Sequence, residues 1–168
     1  PAVVDAVTPV PVVAAGGIAD GRGIAAALML GADGVLMGSR FYASDESLAS
    51  SAAKTAVVGA CGDDTIRSNV FDRLRGVNWP QPYTMRTLRN GMTERWHNHL
   101  DLLQENLENE RTRFRSAVQS EDFKYAPLIV GEVVDLMSDV KTASEIIQDV
   151  TAEAAALLGH GRAVEKNE

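Results

Sequence analysis

The sequence predicts an α/β fold built around a parallel βαβ unit. An apolar run rich in β-branched residues spans residues 10–14, and it lacks the polar alternation of a half-exposed strand. Such a run is typical of a strand buried on both faces of a parallel sheet. Asp20 is a helix N-cap for residues 21–30, and Gly31 stands where a left-handed residue ends a helix. A second apolar run at residues 34–37 completes the unit.

A glycine turn follows each predicted strand. Gly16 and Gly17 end the first strand, and Gly38 and Ser39 follow the second. Parallel strands place their carboxyl ends at one edge of a sheet, which is where α/β folds bind ligands. Backbone N–H groups left uncovered by glycine, together with a serine hydroxyl, suit a phosphate dianion. One such turn is typical of a simple tight turn, but two on neighbouring strands favour a phosphate site.

Residues 14–41, AAGGIADGRGIAAALMLGADGVLMGSRF, resemble the seventh and eighth βα units of the flavin-dependent nitronate monooxygenase family, formerly called 2-nitropropane dioxygenases. Residues 65–90 and 125–158 are similar to the C-terminal region of the same family. The resemblance implies the C-terminal portion of an FMN-binding TIM (β/α)₈ barrel. The last two βα units would then be followed by a mostly helical C-terminal extension.

The resemblance also implies that this chain binds the phosphate end of FMN. The implied cofactor-binding residues belong to the two turns and are Ala15, Gly16, Gly17, Met37, Gly38 and Ser39. No catalytic residue is carried over, because the general base of the family is a histidine in a Gly-Gly-His context on an earlier strand. The three histidines of this chain, at positions 97, 99 and 160, lack that context.

The implied reaction is the oxidation of an alkyl nitronate by O₂ through reduced flavin, giving a carbonyl compound and nitrite. The alternative within flavin barrels is NAD(P)H-dependent reduction, as in the enoyl-acyl-carrier-protein reductases. A third hypothesis is a truncated barrel fragment that binds phosphate or a partner without catalysis. We expect the parent protein to be an FMN-dependent oxidoreductase and this chain alone to be inactive.

The length of the chain predicts an incomplete domain. A chain of 168 residues, 45% of them hydrophobic, can form one sizeable core. A complete TIM barrel, however, needs roughly 250 residues. We therefore expect a fragment or a truncated gene product, in which residues 1–60 hold the final βα units and residues 61–168 are an extension that packs on the barrel. Two open sheet edges and an apolar face would favour a homo-oligomer.

Composition narrows the range of partners. The net charge of −7 is unlike the basic footprint of a nucleic-acid-binding protein. No apolar run approaches the ~20 residues of a membrane helix. The single cysteine, Cys61, provides neither an internal disulfide nor a cysteine-based zinc site, and it favours a cytoplasmic location. His97 and His99 are two positions apart, which is unsuitable for a helical metal pair, so no metal site is predicted.

The sequence allows two roles for each of several arginines. Arg40 follows the second glycine turn, where it could neutralise a phosphate or pair with a surface carboxylate. Residues 62–92, rich in turn formers and aromatics, are typical of an ordered excursion over the barrel. Their arginines, at positions 73, 75, 86 and 89, could approach the flavin phosphate or an anionic substrate. Ion pairs with the acidic remainder of the chain are the alternative.

The other predicted elements are mostly helical. Residues 1–7 are the end of a helix, and residues 45–60 are an outer helix capped by Asp45 or Ser47. The apolar spacing over residues 93–119 predicts one amphipathic helix with Thr93 as its N-cap.

The C-terminal third is predicted to begin with a strand or extended segment at residues 123–134, which could place Tyr125 and Glu132 near the flavin. A capping box from Thr142 to Glu145 then begins a helix that is expected to end at Gly159. The remaining residues, 161–168, are predicted to fray.

Overall fold

In the computed structural model of this chain, the structure describes residues 1–164. The predicted βαβ unit is confirmed: β1 (Val13–Ala15) and β2 (Gly34–Leu36) are parallel and α2 (Gly21–Met29) connects them. The Asp20 side chain accepts a hydrogen bond from the Gly23 N–H at 2.9 Å, and Gly31 is left-handed at φ +96°. The helix predicted at the start is α1 (Ala2–Val7).

The prediction that the first strand is buried on both faces is wrong, and both strands leave a face open to solvent. Val13 remains 59% exposed and Leu36 65% exposed. The cause is the size of the sheet, because β1 and β2 pair only with each other in the described part of the chain. Within that part of the chain each strand therefore has a single neighbour, and the face of the sheet that carries Val13 and Leu36 is exposed.

Two further helices follow β2 and its glycine turn, namely α3 (Ser39–Tyr42) and α4 (Ser51–Val58). The predicted cap of the second was wrong, because Ser50 caps it by accepting a hydrogen bond from the Ala53 N–H at 3.3 Å. Residues 44–45 are instead tied to the segment before the last helix. Ser44 forms a parallel bridge with Lys141, and the Asp45 N–H donates to the Lys141 carbonyl at 2.9 Å.

Residues 62–92 contain regular structure that the sequence did not predict. A short 3₁₀ helix (Gly62–Asp64) leads into β3 (Thr65–Ser68), which pairs antiparallel with β4 (Met85–Leu88). Helix α5 (Val70–Arg75) lies between them in sequence. The register places Arg67 opposite Arg86, so both side chains project from one face of this sheet.

The single helix predicted over residues 93–119 is three helices: α6 (Gly91–Trp96), α7 (Leu100–Glu105) and α8 (Leu107–Ser120). The chain leaves helical geometry at His99 (φ −134°, ψ 43°) and turns again at Asn106. The N-cap is Asn90 instead of Thr93. Its side-chain oxygen accepts hydrogen bonds from the N–H groups of Met92 and Thr93.

Two apolar clusters form the interior. The first joins residues of α3–α4 to the C-terminal segment and contains Ala19, Ala43, Ala53, Val57, Leu128, Val130, Val133, Val134 and Met137. The second lies under α5–α8 and contains Val70, Phe71, Leu74, Met92, Trp96 and Leu103. The first cluster therefore fixes the segment 127–131 against the residues that follow the second glycine turn.

The C-terminal part of the chain contacts both β4 and the region of α3 and α4. Residues 127–131 are extended, with the Leu88 N–H donating to the Leu128 carbonyl at 2.9 Å, and a 3₁₀ helix (Glu132–Leu136) follows. The predicted capping box begins α9 (Ala143–Val164), since Glu145 accepts from the Thr142 N–H at 2.9 Å. The helix continues past Gly159, so its predicted end was wrong.

The predicted frayed tail lies outside the described residues from position 165 onward. Within residues 1–164, no helix combines the length and apolar composition needed to cross a membrane.

Candidate functional site

A cavity of about 630 Å³ opens at the carboxyl ends of β1 and β2. Its walls come from four parts of the chain: the two glycine turns, helix α3, the β3–β4 sheet and the extended segment before the second 3₁₀ helix. The lining residues are Gly16, Gly17, Gly38, Ser39, Tyr42, Arg67, Arg86, Ile129, Val130, Gly131 and Glu132. We call this space the turn cavity.

The structure brings four of the six predicted site residues together in the turn cavity, namely Gly16, Gly17, Gly38 and Ser39. The other two do not line it. Ala15 lines an apolar groove between α1, β1 and α2. Met37 is half-buried between β2 and Gly38.

The backbone of the two turns is open to the turn cavity. Gly16 and Gly17 have positive φ angles of +94° and +72°, a conformation that side-chain-bearing residues rarely adopt. A Cβ built at Gly16, Gly17 or Gly38 would meet no atom within 4 Å. The space beside these three residues is therefore available to a ligand that approaches the backbone closely.

Ser39 connects two walls of the turn cavity. Its hydroxyl oxygen accepts a hydrogen bond from the Gly131 N–H at 3.0 Å, which joins α3 to the extended segment. A serine hydroxyl that accepts one bond keeps its own proton for donation. Ser39 can therefore hold this wall in place and donate to an anion at the same time.

Two arginines of the β3–β4 sheet supply positive charge. Arg86 donates to Thr65 Oγ1 at 2.8 Å and forms an ion pair with Glu132 at 2.9 Å. Among the residues that the structure describes, Arg67 donates one hydrogen bond, a long one of 3.4 Å, to the Thr84 carbonyl. Like charges directly opposite each other destabilise a sheet. This arrangement concentrates cationic charge at the cavity wall, and Glu132 neutralises part of it.

The arginines of residues 62–92 differ in their contacts, and the approach of any of them to a flavin phosphate or an anionic substrate stays a prediction. Arg86 lines the cavity and also pairs with a carboxylate. Arg73 donates to the Leu100 carbonyl and Arg89 to the Asp63 carbonyl, each at 3.3 Å, and neither lines the turn cavity. Arg67 was missed by sequence reasoning, because its position depends on the β3–β4 register.

Arg40 pairs with a carboxylate, which is the second of the two roles that the sequence allows for it. Its guanidinium, only 6% exposed, donates to the Asp139 carbonyl at 2.9 Å and to the Asp139 carboxylate at 2.7 Å. Partial burial raises the pKa of Asp139, but the hydrogen bond from Lys141 and the charge of Arg40 outweigh it and hold that pKa below its usual value. Arg40 therefore anchors the segment before α9.

Tyr42 and Glu132 complete the polar wall. Burial raises the pKa of the Tyr42 phenol, and the negative charge of Glu121 adds to the effect. Tyr42 therefore stays protonated at neutral pH and can donate a hydrogen bond. Glu132 lines the turn cavity, whereas Tyr125 does not: it packs on the second apolar cluster, under the guanidinium of Arg113. The approach of Glu132 to a flavin stays a prediction.

The histidines lie elsewhere in the structure. His97 ends α6, and its Nδ1 lies 3.0 Å from the hydroxyl of Ser68, while His99 precedes α7. Across residues 1–164, no group of three or more histidine, cysteine, aspartate or glutamate side chains could hold a metal ion.

The chain is similar to a known family along most of its length. The family model described as nitronate monooxygenase matches residues 1–153. A nitronate monooxygenase of Metarhizium robertsii is 40% identical over 157 residues, covering 89% of this chain and 43% of the relative. A putative monooxygenase of Mycobacterium tuberculosis is 34% identical over 163 residues, covering 91% of this chain and 41% of the relative. The chain thus spans about two fifths of the length of these relatives.

Two solved structures share the fold of the chain. FabK from Thermotoga maritima superposes with a TM-score of 0.80 and 32% sequence identity, covering 97% of this chain and 50% of that protein. A nitroalkane oxidase from Streptomyces ansochromogenes superposes with a TM-score of 0.70 and 27% identity, covering 90% and 41%.

Proposed function

Because the chain belongs to the nitronate monooxygenase family, we propose that it is the C-terminal part of an FMN-dependent oxidoreductase that oxidises alkyl nitronates with O₂. One observation carries this proposal: the two glycine turns, the Ser39 hydroxyl and two arginines converge on a single cavity. In this proposal residues 1–60 are the last βα units of a TIM barrel, and residues 61–168 are an extension packed on it.

The donor set of the turn cavity fits the phosphate of FMN. The open backbone at Gly17 and Gly38 and the free proton of the Ser39 hydroxyl suit the oxygens of a phosphate. Arg67 and Arg86 carry two positive charges against the single carboxylate of Glu132. The wall is therefore net cationic beside the donors.

The proposed role of this chain is to bind and orient the cofactor. FMN held there would supply the redox chemistry between the nitronate and O₂. The turn cavity holds the phosphate, and Tyr42 adds a protonated donor at its edge. No side chain of this chain is assigned as the base, which we expect on the part of the barrel that these residues do not include.

The test is to join the chain to the segment of the Metarhizium robertsii relative that it does not span, and to compare the joined protein with the 168-residue chain. Purified samples are incubated with FMN, and flavin absorbance and O₂ uptake with propyl-1-nitronate are measured. We expect only the joined protein to retain flavin and consume O₂.

The other outcomes contradict the proposal in different ways. Oxidation of NAD(P)H without turnover of the nitronate would favour a flavin reductase instead. Failure of both proteins to retain flavin would favour a non-catalytic fragment. Tight FMN binding by the 168-residue chain alone would overturn the interpretation of this chain as part of a larger flavin site.

A further inference from the structure

A second cavity, of about 650 Å³, lies beside the turn cavity. The two share Arg67, Arg86 and Ile129, so they are continuous at the β3–β4 sheet. The opposite wall of the second cavity is the loop of residues 76–84, which carries Trp79 and Tyr83. We call this space the aromatic cavity.

The aromatic side chains of this wall are exposed yet held in place. Trp79 is 52% exposed and Tyr83 61% exposed. The indole Nε1–H donates to Asp72 at 3.2 Å, and the other oxygen of that carboxylate accepts from the Met85 N–H at 3.1 Å. Asp72 itself is 2% exposed. A buried carboxylate thus ties Trp79, in the middle of the loop, to Met85, which follows the loop, and Trp79 and Tyr83 both line the cavity.

Three arginines line the aromatic cavity, and Arg86 is the one that pairs with a carboxylate among the described residues. Within residues 1–164, neither Arg67 nor Arg75 forms an ion pair with a carboxylate. Arg75 contacts only the sulfur of Met85, at 3.9 Å. In a chain with a net charge of −7, two unpaired guanidinium groups beside aromatic faces are suited to an anion.

We propose that the aromatic cavity binds a planar anion that carries an aromatic ring, and that aryl nitronates are therefore preferred over short alkyl nitronates. This inference rests on the proposed function. The ring stacks on Trp79 and Tyr83, where aromatic pairs gain more than their buried area alone provides. The two oxygens of the anion face Arg67 and Arg75, whose planar guanidinium groups match a two-oxygen anion.

Direct binding tests the proposal without any redox step. Benzoate is a redox-inert planar anion on an aromatic ring, propionate lacks the ring, and benzyl alcohol lacks the charge. Calorimetric titration of the 168-residue chain and of the joined protein should give benzoate an affinity about tenfold above both other probes. Equal affinity for benzoate and either probe would overturn the proposal. So would loss of benzoate binding in the joined protein alone, because the remaining part of the barrel would then fill the cavity.

Single substitutions distinguish the contribution of the aromatic side chain to benzoate affinity from that of the positive charge. Arg75→Gln and Trp79→Leu should each lower benzoate affinity by about tenfold. Arg115→Gln, which removes an exposed arginine from α8, should leave it unchanged. Trp79→Phe keeps an aromatic face and should retain most of the affinity, which also covers the case in which Trp79→Leu fails to fold. Unchanged affinity in both Arg75→Gln and a folded Trp79→Leu would contradict the assignment.

Turnover distinguishes this inference from the proposed function. In the joined protein, kcat/KM for the nitronate of phenylnitromethane should exceed that for propyl-1-nitronate, and Trp79→Leu should remove the preference. If the joined protein retains no flavin but still selects benzoate, the proposed function fails while the aromatic cavity stands. If it oxidises both nitronates equally well and Trp79→Leu changes neither rate, the aromatic cavity is overturned while the proposed function stands.

Discussion

At the scale of single residues, Ser39 has two roles, and a single substitution removes both. Ser39→Ala removes both the acceptor for the Gly131 N–H and the hydroxyl proton that is free to donate. We expect FMN affinity in the joined protein to fall about tenfold, since a donor to a charged group is lost. Flavin fluorescence titration measures the change. Ser116→Ala, at an exposed position of α8, is the control and should leave affinity intact. An equal loss in both variants would contradict the role of Ser39.

The negative charge of Glu132 repels the anion that the turn cavity is proposed to bind. Its carboxylate pairs with Arg86 at 2.9 Å and is 66% exposed. Glu132→Gln removes the negative charge and frees the guanidinium, so affinity for FMN should rise severalfold and become more sensitive to salt. Titration at two ionic strengths measures this. Glu108→Gln on α8 removes an exposed carboxylate that pairs with Arg111 instead, and should have no effect. A weaker affinity in Glu132→Gln would show that the carboxylate positions Arg86 and does not compete with the phosphate.

At the scale of elements, α2 packs closely on α9 at Gly21. A Cβ at Gly21 would lie 2.5 Å from the Glu153 Cβ and 2.6 Å from the Ala154 nitrogen. Gly21→Ala should therefore lower the free energy of unfolding by about 1–3 kcal/mol. A Cβ at Gly23, on the same helix, would approach the Ile18 side chain at 3.2 Å and other atoms at 3.6 Å or more, so Gly23→Ala should be near neutral because the gain in helix propensity offsets this contact. Urea unfolding followed by circular dichroism compares the two. Similar losses in both would contradict the close approach.

The N-terminus of α2 should make stability depend on pH. Partial burial raises the pKa of Asp20, but hydrogen bonds from the Gly23 N–H and from Arg22 outweigh it, so the pKa lies below its usual value. A carboxyl whose pKa is lowered on folding stabilises the protein above its unfolded pKa, about 4, and loses this contribution as the pH falls through the folded value. The stability difference between the original chain and Asp20→Asn should therefore shrink from pH 7 to pH 3.

Elements with local signals could be predicted, and those set by distant contacts could not. Asp20 and Gly31 mark the ends of α2 through short-range backbone preferences, which is why the βαβ unit was predicted correctly. The apolar residues of positions 93–119 keep their helical spacing across His99 and Asn106, so this spacing does not indicate the two breaks. They arise because Trp96 and Leu103 pack into one cluster with Phe71, a distant part of the chain.

The same distinction applies to the candidate site. The glycines and Ser39 of the turn cavity follow strands directly, so their positions could be predicted from the strand pattern. Arg67 enters the cavity only because β3 pairs with β4 in a particular register. That register joins two segments separated by α5 and the loop of residues 76–84, so no local pattern in the sequence encodes it.

At the scale of the whole molecule, one face remains apolar and uncovered. Val10, Val13 and Leu36 are 62%, 59% and 65% exposed, and the groove between α1, β1 and α2 is lined mainly by aliphatic side chains. Exposed apolar surface beside unpaired strand edges favours association. We therefore expect the 168-residue chain to self-associate as its concentration rises, measured by sedimentation velocity.

The double variant Val13→Thr/Leu36→Thr tests which surface is responsible. It should shift the chain toward monomer, because it makes the uncovered face more polar while keeping residues that favour strands. In the joined protein the same two substitutions should instead lower stability, since there these side chains would be buried against the neighbouring part of the barrel. Opposite effects in the two proteins would support a face that the rest of a barrel covers. A chain that stays monomeric at every concentration, with or without the substitutions, would contradict it.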